Sequence, residues 1–471
     1  MIDRYFHIDE FTIEKERKYC IVLNNFISYS TIMALRPSGF GEYSPAEQRK
    51  FDRLINCIQQ NYQQFWYTHI YTPAVESNKV LLAKNGDETG KQIFGLYGLS
   101  QGPSDLKDYS LHFDLTVPFA RYVLDRESEL SFPFKRYQIQ PVRRGERAQR
   151  GRLREFFQCD IDVIWRKDGK NPYLYYDSEI LFTLGKTLLD IFEELHIQDT
   201  PVAHINNRKL VAGFLIPLVW EENLQAVTVL IDKYKKVEKS EILQSIQALG
   251  VSSDIAEKIC TFVETKIDLT QIETLKTFSN DETFLQGVEE LKEVLTVLQQ
   301  FQTTFAKSFA FEIDFQIVRG LDYYTGTVFE FTLQNDSALW SICGGGRYEQ
   351  LTGYIDPKRD FYAWVGGSIG LSRLLSKIFD EQSFSQQTTT EYLFLNFPET
   401  SSEIFALAHQ FQEEGKNVEI YPVADKLGKQ FTYADKKGIP FVVIFWEGEK
   451  NAGQYKIKNM KTWEETACSI A

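Results

Sequence analysis

Residues 134–165 read FKRYQIQPVRRGERAQRGRLREFFQCDIDVIW, and this stretch decides the predicted fold. Its two ends predict strands over 131–142 and 156–165, since FFQCDIDVIW alternates apolar and polar residues from Cys159 onward. Residues 134–155 carry eight basic side chains, seven of them arginine, against two acidic ones. We therefore predict an antiparallel hairpin whose long basic tip suits phosphate or carboxylate groups, with a solvated charged loop as the alternative.

Composition places the chain among globular proteins and excludes several functional classes. A length of 471 residues predicts two or three domains. Six cysteines without a C-x-x-C pair and six dispersed histidines predict neither a disulfide framework nor a metal site built from protein alone. A net charge of -13 argues against indiscriminate nucleic-acid binding. The first residues are charged throughout and hydropathy offers no spanning helix, so we expect a cytoplasmic protein without a secretory signal.

Periodicity divides the rest of the chain into strand-rich and helical blocks. Residues 44–66 predict a helix, and residues 205–308 are almost wholly helical in pattern, which predicts a helical insertion between strand-rich blocks. Apolar residues alternate with polar ones over 311–317 and predict a strand. After a Gln/Ser/Thr linker, strands and helices alternate over 391–471 and predict a small α/β unit with a mostly parallel sheet.

The sequence contains no familiar phosphate loop. GKT at 185–187 lacks the earlier glycine of a P-loop, and no G-x-G-x-x-G opens a helix after a strand. A bound nucleotide would therefore depend on side-chain cations, which the basic tip supplies. A second polar stretch, RGLDYYTGTVFEF at 319–331, lies directly before a strand-like run. Taken alone, it fits a hairpin in which Arg319 pairs with a neighbouring carboxylate.

Polar residues at two-residue spacing mark two candidate ligand-binding faces. Gln158, Asp160 and Asp162 share one face of the strand that returns from the basic tip. They fit either a small polar ligand or an exposed sheet face. Asp114 and Thr116 have the same spacing, and the proline two residues further on disfavours a helix across them.

These motifs together resemble the histidine–tRNA ligase family of class II aminoacyl-tRNA synthetases, from about residue 35 to the C-terminus. PSGFGEYSPAEQ with YTPAVE resembles motif 1, residues 134–165 resemble motif 2, and GGSIGLSRL resembles motif 3. RGLDYYTGTVFEF and CGGGRYEQL resemble the two histidine-specific signatures of the family. The resemblance implies an α+β catalytic domain with an antiparallel sheet, a helical insertion and a C-terminal α/β anticodon-binding domain.

The resemblance also divides the chain into segments. It implies a class II catalytic domain over 35–204 and 309–380, interrupted by a helical insertion over 205–308. It implies an anticodon-binding domain over 391–471 and leaves residues 1–34 as an extension of unknown role. The expected assembly is a homodimer, with tRNA(His) and L-histidine as partners and no membrane association.

The implied reaction attaches L-histidine to tRNA(His) in two steps through a histidyl-adenylate. ATP is a substrate, and Mg²⁺ is expected with it. Arg144 and Arg319 are the implied catalytic residues on opposite sides of the α-phosphate, where fixed cations would stabilise the charge that builds during the first step. Glu146, Arg152 and Arg373 join Arg144 as the implied ATP-binding residues.

Histidine would need acceptors for its α-ammonium group and polar partners for its imidazole. The resemblance assigns Asp114, Thr116 and Gln158 to the ammonium group, and Asp162 and Tyr324 to the imidazole. The full set of implied histidine-binding residues is Asp114, Thr116, Arg144, Gln158, Asp162, Arg319, Tyr323 and Tyr324.

Three positions depart from the family pattern. His112, Arg143 and Ser372 stand where arginine, an aromatic residue and an acidic residue are usual, and none of the three is assigned to chemistry. Asp322 has no implied role. Two other functions fit part of the pattern: a histidine-binding regulatory paralogue that no longer aminoacylates, and an RNA-binding protein without catalysis. The arginines of motifs 2 and 3 and the C-terminal unit favour the enzyme.

Overall fold

A computed structural model describes most of the chain. It describes residues 37–470 except 84–89, 91, 99, 101–107, 149–151, 168–173, 319–323, 337–338, 340 and 382–387. These residues form two compact units. The large unit holds the described residues of Met1–Gly41, Phe65–Leu189 and Asp199–Arg373, and the small unit holds those of Glu42–Gln64, Asp190–Gln198 and Leu374–Ala471.

The strands are numbered in chain order. They are β1 (Thr68–His69), β2 (Val75–Ser77), β3 (Tyr109–Leu111), β4 (Phe134–Arg143), β5 (Glu155–Arg166), β6 (Pro201–Asn207), β7 (Ala310–Ile313), β8 (Thr327–Leu333), β9 (Cys343–Tyr348), β10 (Tyr362–Gly370), β11 (Tyr392–Phe394), β12 (Val418–Ile420), β13 (Phe441–Ile444), β14 (Gln454–Asn459) and β15 (Glu465–Ser469).

The α-helices are numbered in the same way. They are α1 (Pro45–Gln64), α2 (Asn78–Leu81), α3 (Thr116–Asp125), α4 (Tyr175–Glu194), α5 (Arg208–Leu215), α6 (Glu221–Asp232), α7 (Lys239–Ala248), α8 (Ser253–Glu264), α9 (Glu282–Phe305), α10 (Leu351–Ile355), α11 (Leu371–Glu381), α12 (Glu403–Glu413), α13 (Leu427–Lys437) and α14 (Glu447–Asn451). Short 3-10 helices cover Leu269–Thr277, Pro357–Arg359 and Pro398–Thr400. None of the helices in the described ranges combines the length and apolar character needed to cross a membrane.

An eight-stranded sheet organises the large unit. Its order is β1-β4-β5-β10-β9-β8-β6-β7, and a separate pair joins β2 to β3. The strands from β4 through to β6 pair antiparallel, whereas the two outer pairs, β1 with β4 and β6 with β7, are parallel. The predicted α+β class with an antiparallel sheet is therefore confirmed. The predicted hairpin is present as β4 and β5, each shifted by a residue or more from its predicted bounds.

Helix α3 supplies part of the core on which the site rests. Phe119 of α3 is fully buried and meets Trp364 of β10 edge to face, with ring centroids 5.1 Å apart. The prediction that Pro118 disfavours a helix across Asp114 and Thr116 holds for Asp114, which precedes α3, but not for Thr116. The helix begins at Thr116, so Pro118 lies in the first turn, where a missing N–H leaves no intrahelical hydrogen bond unmade.

On either side of the helical block, the structure differs from the predicted strands. Strand β6 was not predicted, and it runs to Asn207, beyond the predicted start of the block at residue 205. The predicted strand over 311–317 ends at Ile313. Asp314 then accepts the backbone N–H of Gln316 at 3.1 Å, and its backbone carbonyl accepts that of Ile317 at 3.2 Å. This local turn competes with the sheet ladder although the apolar alternation continues.

The small unit contains a five-stranded sheet of order β12-β11-β13-β14-β15. The pairs that β11 makes with β12 and β13 are parallel, but β13–β14 and β14–β15 are antiparallel. The prediction of a mostly parallel sheet is therefore wrong, because β14 and β15 were not anticipated. They read QYKIKN and ETACS, and only Tyr455, Ile457 and Thr466 among these residues are of the types enriched in strands, so the strand pattern is weak.

Candidate active site

A cavity of about 280 Å³ lies in the large unit, among residues of β5, β8, β9 and β10 and the basic loop after β4. Six residues predicted from the sequence contribute to its lining: Arg144, Glu146, Arg152, Gln158, Tyr324 and Arg373. Asp114, Thr116 and Asp162 do not line it. Arg319 and Tyr323, like the unassigned Asp322, lie outside the described residues.

Arg144 is fixed at the base of the basic loop. Its backbone N–H donates to the carbonyl of Arg154 at 2.8 Å, which continues the β4–β5 pairing by one residue. Its Nε donates to the carbonyl of Phe113 at 3.2 Å, and its guanidinium lies 5.1 Å from the centroid of the Phe156 ring. Burial lowers the pKa of Arg144 from its usual high value, so the group stays charged at neutral pH but is poorly hydrated.

Two further arginines give the cavity its cationic character. Arg152 Nη2 lies 2.5 Å from a carboxylate oxygen of Glu146, and more than half of the Arg152 side chain is exposed. Arg373 Nη1 donates to the carbonyl of Ser341 at 2.5 Å. Three guanidinium groups therefore share one cavity and are held by carbonyls, a ring and one carboxylate, an arrangement suited to a polyanion.

The polar residues of β5 face the interior. Asp160 and Asp162 are each only 3% exposed, so the alternative of an exposed sheet face is wrong. Arg136, opposite Asp162 in the β4–β5 register, brings Nη2 within 2.6 Å of its Oδ2, and the Tyr348 hydroxyl donates to its Oδ1. Burial raises the pKa of Asp162 to about 7, although Arg136 opposes this effect.

Glycines on β9 and β10 make room for this polar layer. A Cβ added at Gly366 would lie 1.9 Å from Asp162 Oδ1, and one at Gly346 would lie 2.7 Å from the Tyr324 ring. The glycine-rich stretches therefore let Asp162 and Tyr324 lie against the sheet. Alone in the sequence, CGGGRY is a weak signal, because the contacts that require each glycine come from other strands.

Asp114 belongs to the same electrostatic cluster. Its Oδ1 accepts the N–H of Val117 at 3.1 Å, in the first turn of α3, whose first residue is Thr116. Burial raises the pKa of Asp114 to about 6, against the Val117 hydrogen bond and the charge of Arg144. Asp114 in turn raises the pKa of Asp162. Two predicted histidine-binding carboxyls thus influence one another beside the cavity.

Tyr324 joins this cluster to the cavity. It is half-buried, its ring lies 6.4 Å edge-on from that of Tyr348, and burial raises the pKa of its hydroxyl. Arg208 contacts the chain on either side of residues 319–323: its Nη1 donates to the carbonyl of Val318 at 3.0 Å, and its backbone N–H donates to the carbonyl of Gly326 at 2.8 Å.

Two residues of the buried layer, Arg136 and Tyr348, were not among the predicted site residues. Arg136 was noted only as part of the basic segment. A signal existed, because KRYQIQ alternates and places Arg136 on the same strand face as Gln138 and Gln140. Tyr348 has no such signal, since its role depends on the register between β9 and β10.

The three residues that depart from the family pattern each make a defined contact. His112 is fully buried and its Nε2 donates to the carbonyl of Pro141 at 2.8 Å, while burial lowers the pKa of its imidazole. Arg143 pairs with Glu155 at 2.7 Å, so it adds little free charge to the loop. Ser372 accepts a backbone N–H of β5 at 3.2 Å.

No cluster of three or more His, Cys, Asp or Glu side chains suited to a metal ion occurs among the residues that the structure describes. Glu146 and Glu330 nevertheless line the cavity beside its arginines.

Comparison with known proteins gives a consistent result. A family model described as histidyl-tRNA synthetase matches residues 39–374, and one described as anticodon binding domain matches residues 395–471. A histidine–tRNA ligase of Clostridium tetani (strain Massachusetts / E88) is 37% identical over 439 residues, covering 92% of this chain and 95% of that protein. The crystal structure of histidyl-tRNA synthetase from Nostoc sp. PCC 7120 has a TM-score of 0.81 and 34% identity, covering 92% of this chain and 96% of that one.

A more distant structure shares only the fold. It is described as an ATP phosphoribosyltransferase regulatory subunit/histidyl-tRNA synthetase from Bacillus halodurans C, with a TM-score of 0.69 at 19% identity, covering 84% of this chain and 96% of that one.

Proposed function

This chain belongs to the histidyl-tRNA synthetase family, and from that premise we propose that it attaches L-histidine to tRNA(His) through a histidyl-adenylate, at the expense of ATP. The observation that carries the proposal is the cavity itself. Three arginines line it, and a buried layer of carboxyl groups lies beside it. The arginines are complementary to a polyanion, and the carboxyl groups are complementary to an amino acid with a polar ring.

The first step joins the carboxylate of histidine to the α-phosphate of ATP and releases pyrophosphate. We assign Arg144 to that phosphate, because its guanidinium is held by a carbonyl and an aromatic ring and needs little reorganisation. A fixed donor of this kind commonly contributes roughly 3 kcal/mol to transition-state stabilisation. Arg319 is proposed as the second cation at the phosphate, on the resemblance alone.

The remaining phosphates and the adenine are assigned to Arg152 and Arg373, with Glu146 orienting Arg152 through their ion pair. Mg²⁺ is proposed to enter with ATP, held chiefly by phosphate oxygens. Glu146 and Glu330 offer oxygen ligands of the type that Mg²⁺ prefers. When bound, the ion would neutralise phosphate charge.

The amino acid is assigned to the polar layer. Asp114, Thr116 and Gln158 are proposed to take its α-ammonium group. Asp162 and Tyr324, with Tyr323 beside them, are proposed to hold the imidazole. A buried acceptor that a wrong side chain leaves unpaired can discriminate by about 10⁴ or more, which a merely shaped pocket does not achieve.

The second step transfers the histidyl group to a hydroxyl of the terminal ribose of tRNA(His). We assign anticodon binding to residues 391–471, catalysis to 35–204 and 309–380, and a helical insertion to 205–308. The match of the anticodon-binding model supports the first assignment. Residues 1–34 receive no role.

A homodimer is proposed from the resemblance, and exposed apolar side chains on the large unit support it. Trp66 and Tyr71 are 76% and 65% exposed, and Tyr109 and Val75 lie exposed on the paired strands β3 and β2. Exposed apolar side chains of this kind are often buried in protein–protein interfaces. Light scattering on the purified protein should give twice the mass of one chain, and a strict monomer would contradict the assembly.

A cytoplasmic location is proposed as well.

Histidine-dependent exchange of pyrophosphate into ATP tests the function. We expect exchange with histidine and none without an amino acid, and a folded protein that binds histidine but shows no exchange would be a regulatory paralogue instead. An RNA-binding protein without catalysis would bind RNA in a salt-sensitive way that is indifferent to histidine. Arg126→Ala is a matched control for arginine variants, because this side chain is about half exposed and pairs only locally with Glu129.

A further inference from the structure

We infer that Arg136 is a specificity-determining positioning residue, which orients the Asp162 carboxylate as an acceptor for a ring N–H of the bound amino acid. The inference rests on the proposed function, since it concerns the part of the site assigned to the imidazole. Arg136 itself is not proposed to touch the substrate.

The geometry fixes Arg136 tightly. Its side chain is 0% exposed, and its guanidinium lies 4.3 Å from the centroid of the Phe119 ring. Nη2 lies 2.6 Å from Asp162 Oδ2, and Nη1 donates to Gln138 Oε1 at 3.3 Å. Arg136 is also the cross-strand partner of Asp162. The cation therefore cannot turn to solvent, and one carboxylate oxygen of Asp162 has a fixed position.

The second carboxylate oxygen of Asp162, Oδ1, is also held in place. The Tyr348 hydroxyl donates to Oδ1, and Gly366 lies so close that any Cβ there would collide with the same oxygen. Each carboxylate oxygen can accept more than one hydrogen bond, so both partners leave capacity for a ligand N–H. Tyr324, which lines the cavity, lies close enough for Asp162 to raise the pKa of its hydroxyl.

Among the charged groups around Asp162, Arg136 is the one that most favours the ionised carboxylate. The titratable groups that face Asp162 are Arg136 on β4, Asp160 on β5, Tyr348 on β9, Asp114 before α3 and Tyr324 before β8. Asp160 and Asp114 both raise the pKa of Asp162, and Arg136 is the largest influence that lowers it. Without this cation, two neighbouring carboxyls and a dry environment would favour the protonated acid, which donates a hydrogen bond rather than only accepting one.

Loss of Arg136 should therefore alter selectivity as well as affinity. An ionised Asp162 accepts from an amino acid whose ring has an N–H, such as histidine or triazolylalanine. Thiazolylalanine leaves the ionised Asp162 without a hydrogen-bond donor, because its ring nitrogen can only accept a hydrogen bond. A protonated Asp162 could donate to the thiazole nitrogen, so the variant should discriminate less between histidine and thiazolylalanine.

The test compares Arg136→Met, Arg136→Lys and the exposed control Arg126→Met in pyrophosphate exchange. Arg136→Met should raise the KM for histidine by about 10- to 100-fold at neutral pH, because hydrogen bonds to charged groups are commonly worth that much. The KM for ATP should stay within about twofold, since the ATP assignment lies elsewhere. Arg136→Lys should recover part of the histidine affinity, and Arg126→Met should match the unmodified protein.

The pH profile separates positioning from general damage. Affinity for triazolylalanine, whose ring stays uncharged, is present where Asp162 is ionised and is lost as pH falls through about 7 in the unmodified protein. Because removal of Arg136 raises the pKa of Asp162 further, the loss in Arg136→Met should begin at higher pH. A folded Arg136→Met protein with unchanged histidine KM, selectivity and pH profile would overturn the inference.

Two other experimental outcomes would not by themselves overturn the inference. If Arg136→Met does not fold, Arg136→Gln, which also removes the charge, decides, and a histidine KM and pH profile equal to those of the unmodified protein would contradict a positioning role. If the unmodified protein shows no histidine-dependent exchange, the proposed function fails, and titration of triazolylalanine binding by calorimetry still shows whether Arg136 orients Asp162.

Discussion

Replacement of Gly346 by alanine should damage histidine binding much more than ATP binding. The added Cβ would lie 2.7 Å and 3.0 Å from two carbons of the Tyr324 ring, and 2.5 Å from the carbonyl oxygen of Thr327. Carbon atoms in contact normally lie about 3.5–4.0 Å apart, so the ring must move by about 1 Å. A displacement of about 1 Å at a reacting site can cost about 100-fold in rate, and overpacking commonly costs about 1–3 kcal/mol in stability.

Steady-state exchange kinetics and thermal denaturation would measure both effects. We expect kcat/KM for histidine to fall by about 100-fold, with the KM for ATP nearly unchanged. Gly428→Ala, in α13 of the small unit, is the comparison, because an added Cβ there meets no atom within 4 Å beyond the helix's own backbone, so histidine kinetics should not change. Equal losses in the two variants, or an unaffected Gly346→Ala protein, would refute the role given to this glycine.

Three further predictions concern the two arginines assigned to the α-phosphate and one buried ion pair. Arg144→Ala should slow exchange by about 100-fold or more, whereas Arg126→Ala should not; similar rates for the two would remove Arg144 from the reaction. Arg319→Ala should slow adenylate formation much more than it weakens ATP binding, measured by rapid quench and equilibrium titration, and equal losses would contradict a transition-state role. Asp177→Ala should destabilise the fold by about 3–5 kcal/mol, because it leaves Arg347 buried without the carboxylate that its Nε contacts at 3.2 Å. An unchanged denaturation midpoint would contradict this.

The elements that the sequence predicted well are those with a local pattern. The β4–β5 hairpin has strong alternation on both sides of a charged loop, and the chain needs no distant partner to express it. Helix α3 also has a local signal, since Oδ1 of Asp114 accepts the N–H of Val117 in its first turn, where Pro118 is tolerated. Strand β6 shows the opposite case, since its pairing partners β7 and β8 lie about a hundred residues later.

The residues of the candidate site also divide into those that a local sequence pattern predicts and those that depend on distant parts of the chain. Arg144, Arg152 and Gln158 were predicted because they lie within one continuous motif, and the structure brings them to one cavity. Arg136 and Tyr348 matter because the sheet register aligns β4 with β5 and β9 with β10, which no single stretch of sequence records.

Aminoacylation is the most direct test of the proposed function. The purified protein is incubated with ATP, Mg²⁺, tRNA(His) transcript and each amino acid in turn, and the acylated tRNA is quantified. We expect that histidine is attached, that other amino acids are not, and that Asp162→Ala removes this activity while ATP binding persists. Attachment of a different amino acid, or none by a folded protein that binds both substrates, would contradict it.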